Sequence, residues 1–317
     1  MLGINDLKEK IGVSETKVEC PVRHCTKKVY RQTKKFRRLT KYKCPIHRIF
    51  ISPTTFEYDG EEENLIWKDK DDLDLLERIK QVKRESRMTR DNSEDAVTWN
   101  VFRFLERSGL IKSVLNELTG LSSNSPEVMY WSYSQKEKGR WSNLMDARIE
   151  FGEDVEKGSE PDIIIKTDSS LFFIEAKLTA GNKTSPSNLQ NTKQYTTGGN
   201  NWFSKIFRSD YETIAIREKK YELMRFWLIG TWMADQYGLH FELINLVCSQ
   251  QETGIENIFK KHIIETERRK FQRLEWENIC QHIEGIDPLT DKDKMMKYFQ
   301  NKSLGYNKEK VIRKAFL

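Results

Sequence analysis

The sequence predicts an α/β protein: a central mixed β-sheet flanked by helices, with a small basic module before it and a helical region after it. Three observations predict this. Two apolar runs, residues 161–166 and 171–177, are rich in Ile and Phe and are separated by the turn formers Thr167, Asp168, Ser169 and Ser170. Upstream, Val97, Val101, Phe104, Leu105 and Ser108 recur at helical spacing until Gly109. Downstream, a long helical stretch around residues 211–237 leads into an apolar strand at 241–247, so strand, helix and strand follow one another as a sheet covered by helices requires.

At the amino end, Cys20-Pro21-Val22-Arg23-His24-Cys25 and Cys44-Pro45-Ile46-His47 form two short knuckles with 18 residues between them. Three thiolates and one imidazole suit tetrahedral structural Zn²⁺, held by Cys20, Cys25, Cys44 and His47, with His24 as the competing ligand. Proline in each knuckle favours the tight turns that bring paired ligands to one ion. The alternative is a set of reduced cysteines without metal. A disulfide framework is not expected, because three of the five cysteines cluster here while Cys248 and Cys280 stand alone in apolar segments.

Charge is lopsided in the same region. Residues 1–50 hold 14 Lys or Arg against 4 Asp or Glu, a balance of +10 in a chain whose total is +6. Lys27, Lys28, Arg31, Lys34, Lys35, Arg37 and Arg38 interleave with Tyr30, Phe36 and Tyr42, a mixture suited to phosphate contact with occasional stacking. The plainer alternative is a charged, solvated ribbon. Residues 57–77 then reverse the sign, with ten acids against two lysines, and read as a linker running into a helix. The acidic segment could occupy the basic cleft when no nucleic acid is present.

The core follows. Asp91-Asn92-Ser93 is a helix start signal, and Glu94 lies one turn before Val97 on the inward stripe, with a solvated first-turn acid as the alternative. Trp131 and Trp141 flank a loop, 132–140, carrying Lys136, Lys138 and Arg140, and read as partly core. In the hairpin, a two-residue turn at Asp168-Ser169 makes Thr167 face Ser170 and sets Asp162 opposite Glu175. Glu175 and Lys177, two apart, share a face. In a sheet covered on both sides such charges are costly unless they are paired or hold a metal. An ion pair on a solvated edge is the alternative.

The carboxy-terminal third, with Lys260, Lys261, Arg268, Arg269, Lys270 and Arg273 and then the basic stretch 292–314, is expected to be helical. The segments therefore divide as 1–55 (zinc-binding basic module), 56–90 (acidic-to-basic linker and helix), 91–250 (core) and 251–317 (helical extension).

Pro161-Asp162 followed after a hairpin by Glu175-Ala176-Lys177 resembles the PD-(D/E)xK nuclease superfamily, across residues 90–250. The resemblance implies a restriction-endonuclease-like core, with Mg²⁺ held by Asp162 and Glu175, Lys177 serving the attacking water, and Glu94 as a supporting acid from the preceding helix. A Gln or Tyr on the following helix is a further family element. Gln190, Gln194 and Tyr195 stand there without reproducing its spacing.

The expected activity is Mg²⁺-dependent hydrolysis of DNA phosphodiester bonds by a cytoplasmic homodimer with no signal peptide. The alternatives are a non-catalytic zinc-dependent nucleic-acid-binding protein and a structure-selective repair or recombination nuclease. Charged residues at 32% and a mean hydropathy of −0.72 argue against a membrane span, as does the lack of any apolar stretch near the roughly 18 residues one requires.

Overall fold

The expected hairpin forms and lies at the centre of the sheet. The computed structural model describes residues 1–33, 36–83, 86–122, 124–188 and 192–316. In chain order the elements begin with the short strands β1 (Lys17–Glu19), β2 (Lys28–Tyr30), β3 (Phe50–Ile51) and β4 (Phe56–Glu57), then helices α1 (Lys70–Val82), α2 (Glu94–Arg107) and α3 (Ile111–Thr119). Next come β5 (Glu127–Tyr130), β6 (Tyr133–Ser134), β7 (Gly139–Arg140), α4 (Ser142–Glu150), β8 (Ile163–Lys166), β9 (Ser170–Ala176) and α5 (Thr192–Ile206). A π-helical turn (Glu212–Arg217) precedes α6 (Tyr221–Gln236), β10 (His240–Val247), α7 (Ile255–Lys260) and β11 (Arg269–Glu275). Helices α8 (Trp276–Glu284) and α9 (Lys292–Asn301) and the strands β12 (Ser303–Tyr306) and β13 (Ile312–Lys314) close the chain.

These elements divide into two compact units. The first comprises residues 1–70, 86–108 and 276–317, and the second 71–85 and 109–275. The bounds run along different lines from the four consecutive segments expected from the sequence.

The second unit is built on a seven-stranded mixed sheet of order β11-β10-β9-β8-β5-β6-β7. β9 runs antiparallel to β8 and parallel to β10. Every residue of β9 is buried, which is why its sequence is a continuous apolar run rather than an alternating one. One face of the sheet, with Ile164, Leu171, Phe173, Phe241 and Leu243, packs against Leu223, Met224, Phe226 and Trp227 of α6. Gly230 permits this approach, because a Cβ there would collide with the Phe241 ring.

Two expectations are corrected here. The carboxy-terminal region is not helical throughout: residues 269–275 form β11, and residues 303–314 contain the β12–β13 hairpin. β11 lies parallel to β10 across the α7 crossover, the βαβ connection that parallel pairing needs. It is an edge strand, so it tolerates the charges that suggested a solvated helix, and those charges discourage further pairing. The expected loop 132–140 is instead the β6–β7 hairpin, entered by a tight turn at Trp131-Ser132.

The first unit has its own core, in which Leu7, Ile11, Val18, Val29, Ile49, Ile51 and Phe56 gather around the cysteines together with Tyr306 from the far end of the chain. The Tyr306 hydroxyl donates to the carbonyl of Ser52 and, at 3.2 Å, to that of Thr55. A buried ionic cluster joins the same segments. Lys302 Nζ lies 3.9 Å from Asp91 Oδ1 and donates to Asn64 Oδ1 at 2.9 Å, while Tyr58 and Ser303 donate hydroxyls to the Asp91 carboxylate. Ser93 caps α2, its Oγ accepting from Ala96 N at 3.1 Å. Asp91, read from sequence as part of the same start signal, is an interior anchor.

Candidate active site and metal centre

Register brings the first two carboxylates of the second unit together. β8 and β9 pair Lys166 with Leu171 and Ile163 with Ile174, and Thr167 N donates to Ser170 O at 2.8 Å across the two-residue turn. One step beyond Ile163 and Ile174, Asp162 and Glu175 stand opposite each other, the register counted from the sequence. Glu175 is 3% exposed. Lys177 returns to the same face, where its ammonium meets the Glu175 carboxylate.

A third acid completes the cluster. Glu222, in the first turn of α6, holds Oε2 3.5 Å from Lys177 Nζ. Its position is set locally, since Thr184 Oγ1 accepts from Glu222 N at 2.9 Å and Thr184 O accepts from Tyr221 N at 3.2 Å. One turn further along, Arg225 Nε donates to Glu153 Oε1 at 2.8 Å. That buried carboxylate also accepts from Ser159 Oγ at 2.8 Å and from the Tyr195 hydroxyl at 3.0 Å. Of the three residues considered on the helix after Lys177, Tyr195 thus serves the Glu153 network, Gln194 lies beside Gly152, and Gln190 lies outside the described residues.

Asp162 is aimed by its surroundings. Its Oδ1 accepts from Trp131 Nε1 at 2.9 Å and its Oδ2 from Ala176 N at 2.9 Å. Trp131 and Ser132 both have positive φ, 45° and 72°, the type I′ geometry that Asn-Gly usually supplies. A backbone conformation unfavourable for these residues is held where it directs an indole N–H at a carboxylate. On the parallel neighbour, Asn245 pairs in register with Glu175 and is fixed by Asn182 Nδ2 at 2.7 Å and Glu252 Oε2 at 3.1 Å.

Three acids surround one lysine. Burial pushes the Glu175 carboxyl well above its ordinary value, Glu222 and Asp162 push it further, and Lys177 offsets only part of this. Burial alone would lower the Lys177 ammonium, but Glu175, Glu222 and Asp162 outweigh it and raise the group above its ordinary value. The lysine therefore stays protonated, and the cluster is short of positive charge.

Glu94 opens α2 in the first unit, in the first turn behind the Ser93 cap. Sequence spacing does not point to Glu222, Trp131 or Asn245 as neighbours of the hairpin acids. The one available signal was an acid in a helix first turn immediately before the buried stripe that starts at Leu223.

The candidate metal centre lies in the first unit. Cys20 Sγ and His47 Nδ1 are 3.5 Å apart, Cys44 Sγ and His47 Nδ1 3.7 Å, and Cys25 and Cys44 Sγ 3.9 Å. A tetrahedral Zn²⁺ with Zn–S bonds of about 2.3 Å sets neighbouring sulfurs about 3.8 Å apart. All four ligand atoms lie within 4.8 Å of one another, so the cluster could hold a zinc ion. The competing His24 is exposed and stands outside this set. Among the described residues no other group of three or more His, Cys, Asp or Glu gathers its ligand atoms this closely.

The basic residues of the first unit have unequal surroundings. Lys27, Lys28 and Arg37 are exposed, and Arg31 Nη1 donates to Ser14 O at 3.2 Å. Arg38 is tied to the acidic segment, donating to Tyr58 O and Asp59 O at 2.9 and 2.5 Å and lying 3.7 Å from Glu57. Lys34 and Lys35 lie outside the described residues. Among the described residues no helix is long and apolar enough to cross a membrane. Comparison with family models, curated proteins and solved structures gives no match.

Proposed function

We propose that the chain is a Mg²⁺-dependent endodeoxyribonuclease with a restriction-endonuclease-like core, hydrolysing DNA phosphodiester bonds at Asp162, Glu175 and Lys177. The observation that carries this reading is the meeting of Asp162, Glu175, Glu222 and Lys177 at one end of the β8–β9 hairpin. The donor set suits Mg²⁺: hard carboxylate oxygens, more negative charge than one lysine neutralises, and a strand end where the partly exposed Glu222 leaves a side from which substrate phosphate can supply further ligands. Asp162 and Glu175 would hold it, with Glu222 as a third ligand. When bound, the metal would polarise the phosphoryl group and stabilise the leaving oxygen.

The chain's own groups do the rest. Lys177, kept protonated by its acidic neighbours, presents N–H donors to the attacking water and to the scissile phosphate, stabilising the charge that develops there. A lysine held in that state orients the water rather than deprotonating it. The water's proton is left to a phosphate oxygen of the substrate. Trp131 and Ala176 keep Asp162 directed at the site. The zinc-bound basic module supplies the grip on DNA, and two copies of the chain would cut both strands.

Plasmid digestion with Mg²⁺ tests the reading. Glu175→Ala and Lys177→Ala should each slow cleavage by at least about a hundredfold; parent-like rates would show the assignment to be wrong. A second reading, a zinc-dependent nucleic-acid-binding protein without turnover, draws on the Cys₃His cluster. It takes over if the parent chain binds the plasmid and leaves it intact. Cleavage confined to branched DNA would point instead to a repair or recombination enzyme.

A further inference from the structure

A cleft of about 540 Å³ opens on the first unit, with Lys17, Lys28 and Tyr30 of the β1–β2 hairpin on one side and Lys41, Lys43 and Arg48 on the other. Cys44 and Pro45 of the second knuckle also line it, so one wall is braced by the metal centre. The hairpin register pairs Lys17 with Tyr30 and Lys28 with Glu19. In β2, Lys28 and Tyr30 face outward while Val29 is buried.

The cations in the cleft are not equivalent. Asp59 engages Lys43 at 2.8 Å and Arg48 at 2.7 Å, and Glu19 lies 3.6 Å from Lys28. Among the described residues neither Lys17 nor Lys41 has a carboxylate partner. These two bracket Tyr30, Lys17 from the paired strand and Lys41 with its ammonium 6.0 Å from the ring centroid. Tyr30 itself is 55% exposed. A large ring left in water between two uncompensated cations suits a ligand with a flat face and flanking negative charge.

We infer that this cleft binds a single strand of nucleic acid, an unpaired base stacking on Tyr30 while its neighbouring phosphates meet Lys17, Lys41 and Lys28. Base stacking on an exposed aromatic needs a base released from its partner, and flanking ammonium groups contact the backbone whatever the sequence. A duplex keeps its base faces covered, so it would meet the lysines and leave the ring idle. The inference deepens the nuclease reading by naming the strandedness of what the module holds, and rests on that reading only for what is cut.

The test measures binding with cleavage switched off. Anisotropy of a short labelled oligothymidine is followed in the zinc-loaded Glu175→Ala chain without Mg²⁺, against an oligouridine, a duplex of equal length and a polyglutamate peptide. Tyr30→Ala should weaken single-strand binding about tenfold, and Tyr30→Phe should preserve it, with duplex affinity little changed and zinc content equal. The Lys17→Ala/Lys41→Ala pair should lower the salt slope by about 1.4. The thymidine and uridine strands separate DNA from RNA. The inference fails if Tyr30→Ala leaves single-strand affinity within about twofold, if it weakens the duplex equally, or if polyglutamate binds as tightly. Because no cleavage is read, a failure here leaves the catalytic assignment standing, and an inactive hairpin leaves this one standing.

Discussion

A buried carboxylate with two acidic neighbours can lose its charge, gain a cation or bind a metal. Glu175 has one lysine, shared with Glu222, and burial together with two acidic neighbours lifts its carboxyl above the ordinary value despite that lysine. Replacing Glu222 with Gln should therefore have opposite effects on folding and function. Removing a like charge should raise the thermal midpoint, while the Mg²⁺ concentration needed for half-maximal cleavage should rise about tenfold. An unchanged Mg²⁺ dependence would remove Glu222 from the site. Asp162, Glu175 and Lys177 could be read together because one hairpin carries them and its period and turn length set their faces. Glu222 could not, since it stands 45 residues from Lys177 and reaches it only through the docking of α6. Trp131 was hidden for another reason: its turn lacks the Asn-Gly that usually marks this geometry.

At the level of elements, the Glu153 carboxylate ties α6 through Arg225 to the segment that follows α4. Burial would raise that group, yet Arg225 and the N–H and hydroxyl of Ser159 hold it below its ordinary value. A depressed folded-state value means that the carboxylate adds stability near neutral pH, and that the contribution fades as pH falls below the ordinary value and through the folded one. The stability gap between the parent and Glu153→Gln, measured by denaturant unfolding, should be widest near about pH 7 and shrink toward about pH 3. A gap that does not vary with pH would show that the carboxylate's charge is not what matters. The sheet's centre was legible because strands buried on both faces are written as unbroken apolar runs. Its edge was not. In β11, Arg269, Lys270 and Arg273 lie among Phe271 and Leu274, and a one-sided edge strand carries so weak a pattern that it reads as a solvated helix.

On the scale of the whole molecule, the chain enters the first unit three times. Asp91 and Lys302 are buried together, and the lysine is held below its ordinary value by burial, with Asp91 pulling it partly back. Lys302→Ala should cost about 3–5 kcal/mol, because it strands a buried carboxylate; a loss under about 1 kcal/mol in denaturant unfolding would show that Asp91 needs no cation. This partition was beyond a linear reading. Segments were divided where composition shifts, whereas the first unit is closed on itself by Tyr306 under the cysteine core and Lys302 beside Asp91, pairings that leave no periodic trace.

The same arrangement sets an order in time. Cys20, Cys25, Cys44 and His47 all leave the ribosome while Tyr306 is still unmade, so a metal ion can be captured by a nascent chain whose surrounding core is incomplete. The whole second unit must then be synthesised before the last strands arrive to finish the first, and through that interval a captured ion would be the early constraint on the amino-terminal segment.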